Sequence, residues 1–133
     1  MTTITINLPV KDLAVSRSFF EAIGLTINED FSDENMLAVP LSDDIRVLLL
    51  TREYFGTFTP KPIADTSQGI ETILAIGVDQ RADVDAMADA AAAAGGEVHR
   101  EPQDLGFVYS RSFVDPDGHV WEAVHMDFSG AQG

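Results

Sequence analysis

Residues 3–24 read TITINLPVKDLAVSRSFFEAIG, and their hydrophobic period changes halfway through. Ile4, Ile6, Leu8 and Val10 alternate with Thr3, Thr5 and Asn7, the two-residue period of a strand with one covered face. Asp12 then suits a helix N-cap. In LAVSRSFFEAI the residues Val15, Phe19, Ala22 and Ile23 fall on one helical stripe, which Gly24 ends. Three short strand candidates follow: LTINED, NMLAVPL and IRVLLLT. The same order then returns. IETILAIGVD is a strand with Thr72, Leu74, Ile76 and Val78 on one side and Glu71, Ile73, Ala75 and Gly77 on the other. RADVDAMADAAAAAGG is a helix with Val84, Met87, Ala88 and Ala91 inside and a stop at Gly95 or Gly96. EVHR, FVYSRSFV and HVWEAVHM complete the repeat.

Two βαβββ modules make an α+β fold, and the competing arrangement of similar pieces is the ferredoxin-like one. Expected bounds are about 1–53 for the first module, 54–69 for a linker and about 70–128 for the second, within one domain, 1–133. Pro60 and Pro62 mark the linker, while Phe55 and Phe58 predict that it packs down.

Composition narrows the functional classes. The absence of cysteine excludes disulfides, thiolate ligands and a Cys nucleophile. No basic leader and no apolar run of about 20 residues is visible, so a soluble cytoplasmic protein is expected. Acids outnumber bases by 22 to 8, for a net charge of −14. That charge repels phosphate backbones and anionic lipid, so neither nucleic acid nor membrane is an expected partner. It favours a cationic ligand, or it serves solubility alone. There is no G-x-S-x-G elbow, H-E-x-x-H helix, P-loop or dinucleotide-binding glycine pattern.

The last repeat, RSFVDPDGHVWEAVHMD at 111–127, reads as strand, turn and strand. Asp115-Pro116-Asp117-Gly118 suits a type I turn, which makes both aspartates turn residues before they are ligands. Glu122 stands in an otherwise apolar strand, and a carboxylate there needs a metal, a cation or a hydrogen-bond donor.

NLPVKDLAVSRSFFEAIGL and FVDPDGHVWEAVHMD resemble the opening module and closing hairpin of the vicinal oxygen chelate superfamily. That superfamily includes glyoxalase I, bleomycin-resistance proteins, fosfomycin-resistance enzymes and extradiol dioxygenases. The resemblance implies two βαβββ modules whose mixed sheets curve around a cavity, commonly holding a divalent metal, and often a homodimer. Ligand positions carried over from the family fall on Thr5, Leu48, Ile73 and Glu122. Only Glu122 is a good ligand type, so most metal positions are missing and no cofactor is expected. Strand alternation turns His119 and His125 away from Glu122, and His99 lies outside the matching positions.

Thr5, Asn7, Leu48 and Ile73 are candidate cavity residues. The strand FVYSRSFV offers a bulky face (Phe107, Tyr109, Arg111, Phe113) and a small one (Val108, Ser110, Ser112, Val114), and the sequence leaves open which lines the cavity. With the bulky face inward, Arg111 pairs with Glu122 and Tyr109 donates to a ligand; with it outward, Arg111 is a solvated charge and Glu122 needs another cation. The expected function is small-molecule binding without the usual metal centre, sequestering a cationic ligand as bleomycin-resistance proteins do. The alternative is a metal-dependent lyase or dioxygenase that uses Glu122 as its catalytic residue.

Overall fold

A computed structural model of the chain describes residues 1–127, and the expected end of the second module, near 128, lies outside them. The chain divides into two compact units, Met1–Asp65 and a second beginning at Thr66.

In the first unit β1 (Ile4–Val10) leads into α1 (Leu13–Ala22), followed by β2 (Met36–Pro40) and β3 (Ile45–Thr51). The sheet order is β1-β3-β2. The β1–β3 pair is parallel and the β2–β3 pair antiparallel, so the last strand sits between the other two. Asp12 caps α1 as its sequence predicts, accepting from the Ala14 and Val15 amides at 2.9 and 3.3 Å. The buried stripe of α1 is not the predicted one. Ser16, Phe19, Phe20 and Ile23 are buried, whereas Val15 is 49% exposed and Ala22 is also exposed. The stripe is rotated because Phe20 and the small Ser16 let the helix pack against β3 and β2, whose Val47, Leu49, Leu37 and Val39 are buried. Of LTINED, only Asn28 pairs, by a single bridge to Ala38, before a 3-10 turn at Glu29–Phe31. The linker's start packs down as a short helix, α2 (Arg52–Phe55), against β1 and β3, and Phe58 meets the Tyr54 ring edge-on at 5.1 Å.

In the second unit β4 (Ile73–Gly77), α3 (Arg81–Ala93), β5 (Gln103–Asp104), β6 (Val108–Val114) and β7 (Val120–Met126) build a sheet of order β4-β7-β6-β5. Again the first strand runs parallel to the last, and the last is antiparallel to its predecessor. EVHR is not a strand. It contributes one bridge, Glu97 to Val114, and the paired segment comes later at Gln103–Asp104. Val84, Ala88 and Ala91 of α3 are buried as predicted, with Met87 at the margin.

Both long helices end alike. The amides of Gly24 and Leu25 return to the carbonyls of Glu21 and Phe20, and those of Gly95 and Gly96 return to Ala92 and Ala91. Gly24 (φ 99°) and Gly95 (φ 95°) hold the left-handed conformation that this motif requires. The repeat therefore extends to the helix terminations.

The turn at Asp115 is more than a hairpin connection. Gly118 N–H donates to the Asp115 carbonyl at 3.0 Å, closing the turn. The buried Asp115 carboxylate accepts from the amides of Asp117 and His119 and from the Trp121 indole, at 2.9, 3.0 and 3.0 Å. Burial raises its pKa, while the nearby His119 and these donors oppose the rise.

Candidate functional site

Three faces carry the predicted site residues, one on the first unit's sheet and both faces of the second unit's sheet. On the first sheet, strand alternation sends Leu8 and Val10 into the core and leaves Thr5 and Asn7 exposed on the opposite side. Register places Thr5 beside Arg46 and Asn7 beside Leu48, with Ala38 on the other side of Leu48. Arg46 Nε donates to Thr5 Oγ1 at 2.9 Å. Over this face lies a cavity of about 360 Å3, lined by Thr5, Leu48, Ala38, Met36 and Phe31, with Asp43 and Asp44 at the β2–β3 turn. Its volume is in the range of small-molecule sites, and its lining combines apolar side chains with the charges of Asp43, Asp44 and Arg46. Thr5 and Leu48 line it; Asn7 shares the face but is not among the lining residues.

On the second sheet the two faces of β6 are settled by α3. Tyr109 Oη donates to Asp85 at 2.6 Å, and Arg111 Nη1 donates to Asp85 at 3.0 Å and Asp89 at 2.9 Å. Arg81 adds a salt bridge to Asp104 at 2.7 Å and stands 4.3 Å from the Tyr109 ring centroid. The bulky face of β6 is thus the helix face. Arg111 does not pair with Glu122, and it is not simply solvated either: two α3 carboxylates hold it. Hydrogen bonds from Tyr109 and Arg111 keep the Asp85 carboxyl below its ordinary pKa, and the same Asp85 contact raises that of Tyr109. Burial works against the Arg111 charge, but the bonds to Asp85 and Asp89 override it and its pKa is raised.

Glu122 lies on the other face, flanked by Ser112 on β6 and Ala75 on β4. Its side chain is 16% exposed, and its partner is Arg100, whose Nη2 approaches Glu122 Oε1 at 2.5 Å and Gln103 Oε1 at 3.2 Å. The Arg100 backbone is itself fastened, its N–H donating to Ser112 Oγ at 3.0 Å. Ile73 shares this face, 49% exposed, two residues before Ala75. Sequence reading missed Arg100 because it stands in a segment with no periodicity. The one signal was the need of Glu122 for a cation.

The donor set does not fit a metal. Among the described residues no group of three or more His, Cys, Asp or Glu is placed to hold an ion. His125 alternates with Glu122 along β7 and so projects to the other side, where its Nδ1 lies 3.2 Å from the Val78 carbonyl, and His119 precedes the strand. Glu122 itself is committed to a guanidinium. Among the described residues no helix is long and apolar enough to cross a membrane.

A family model described as Glyoxalase/Bleomycin resistance protein/Dioxygenase superfamily matches residues 3–123. No curated protein matches the chain. Similar solved structures include hypothetical protein SA1046 from S. aureus, at 26% identity and TM-score 0.79, with 94% of each chain covered. A glyoxalase/bleomycin resistance protein/dioxygenase family enzyme from Burkholderia phytofirmans PsJN is 17% identical with TM-score 0.76, covering 95% of this chain and 99% of that one. TnmS3, an antibiotic binding protein from Streptomyces sp. CB03234, is 22% identical with TM-score 0.65, covering 96% and 97%.

Proposed function

The chain belongs to the Glyoxalase/Bleomycin resistance protein/Dioxygenase superfamily, and from that premise we propose that it binds a small organic cation and does so without a metal centre. The observation that carries this reading is the commitment of Glu122 to Arg100. The one carboxylate at a family ligand position already has its counter-charge, and Thr5, Leu48 and Ile73 supply no comparable donor. The ligand seat is the cavity of the first unit, where Leu48, Met36 and Phe31 offer apolar contact and Asp43 and Asp44 offer charge. The net charge of −14 draws cations toward it. Thr5 and Asn7 supply polar contacts on the same face. Tyr109 and Arg111 bond to the α3 carboxylates. The similarity to TnmS3, an antibiotic binding protein, agrees with a binding role. The two units act together as one domain, in a cytoplasmic homodimer.

Elemental analysis of the purified protein, followed by calorimetric titration with Zn2+, Ni2+, Mn2+ and Fe2+, tests the reading. The expected result is no stoichiometric uptake. Micromolar one-to-one binding that disappears in Glu122→Ala would replace it with a metal-dependent lyase or dioxygenase. A thermal-shift screen of cationic glycopeptides and thioester metabolites should then find its positive results among the cations, and Leu48→Trp, which fills the cavity, should abolish them.

A further inference from the structure

Glu122 and Arg100 are held very differently. Glu122 stands on β7, which is paired to β4 on one side and β6 on the other. Arg100 stands in the irregular stretch between the Glu97 bridge and β5, and its side chain is 41% exposed. The carboxylate is fixed on a paired strand, while its cation is the end of a long, half-exposed side chain whose backbone is fastened to Ser112 Oγ. A pair with one partner this exposed is a weak one.

The floor beside Glu122 is made of small residues. Ala75, its cross-strand neighbour, is exposed; Gly77 is exposed too, with nothing within 4 Å of where a Cβ would stand. Glu97 and Glu101 flank Arg100 in the same segment, both exposed, and keep the surroundings negative even with the guanidinium in place. A planar cation is what this carboxylate already accepts.

We propose that Glu122 is a recognition site for amidinium- or guanidinium-bearing small molecules and that Arg100 is its built-in, displaceable occupant. An incoming planar cation takes the Glu122 carboxylate, its body lies over Ala75 and Gly77, and the Arg100 side chain turns to solvent while its backbone stays on Ser112. Arg100 thereby sets the affinity threshold of the site. The inference rests on the reading that the protein binds organic cations, and it adds a second seat and the chemical class that fits it.

Benzamidine, titrated calorimetrically into the full chain, is the probe. Arg100→Ala and Arg100→Gln should each bind it at least threefold more tightly than the wild type, and Glu122→Gln and the Arg100→Ala/Glu122→Gln pair should lose binding. In the wild type, the Arg100 Nε–H resonance should move toward the position of a solvated arginine as benzamidine saturates. The proposal is overturned if the two Arg100 variants bind no more tightly, if Glu122→Gln retains affinity, or if the resonance stays in place. The resonance serves even where the variants fold poorly. A cation whose affinity ignores both residues would leave the binder reading standing and remove this site. Benzamidine behaving as expected while the first-unit cavity accepts nothing would keep this site and remove the first-unit cavity as the ligand seat.

Discussion

Asp115 shows how much one side chain can decide. Its carboxylate gathers two backbone amides and the Trp121 indole, and Trp121 is 1% exposed, so removing the acceptor takes a hydrogen bond from a buried N–H. Asp115→Ala should lower unfolding free energy by about 1–3 kcal/mol in urea titrations, whereas Asp117→Ala should change it far less. Gly118 is constrained twice. It holds φ 85°, and a Cβ there would come within 2.3 Å of Thr66 Oγ1, which donates to the Asp117 carbonyl at 2.7 Å. Gly118→Ala should therefore cost roughly 1–3 kcal/mol, and the double variant with Thr66→Gly should recover only the part due to crowding. The turn and its Gly were legible in the DPDG sequence. The indole bond was not, since no pattern in one strand says where the ring of Trp121 turns.

At the scale of elements, α3 and β6 are joined by charge as well as by apolar packing. Asp85 has its pKa lowered, chiefly by the Tyr109 hydroxyl and then by Arg111. A carboxylate of this kind stabilises the folded state above its ordinary pKa of 3.8, and the contribution disappears as pH falls from there through the lowered folded value. Asp115, with its pKa raised by burial, acts in the opposite sense: its ionised form costs stability, and protonation relieves that cost. Thermal melts followed downward from pH 5 should show a smaller acid loss in Asp85→Asn than in the wild type, and a larger one in Asp115→Asn. Element order, the α3 stripe and the Asp12 cap could be read from the sequence because each is a local pattern. The α1 stripe could not, because Val15 and Phe20 are equally apolar and only the fit to the sheet chooses between them. Likewise, the alternation of β6 defines two faces without saying which one receives a helix; Asp85 and Asp89, four residues apart on α3, make that choice.

For the whole molecule, a net charge of −14 predicts that cation binding weakens with salt. Affinity for a monovalent organic cation should fall several-fold between 20 and 500 mM NaCl, roughly as screening lengths shorten, and a salt-independent affinity would point to a purely apolar seat. Sedimentation at micromolar concentration should show a dimer. The same molecule carries one topological rule twice: in each unit the strand made last is inserted between strands made before it. A nascent chain emerging from the ribosome can finish its first sheet once Thr51 is out, but β4 and β6 stay unjoined until Val120–Met126 has been synthesised. The first half has time to settle while the second waits, so a translational pause downstream of Thr51 would favour correct assembly and one just before Val120 would prolong the vulnerability of two bare strand edges to the cell's proteases.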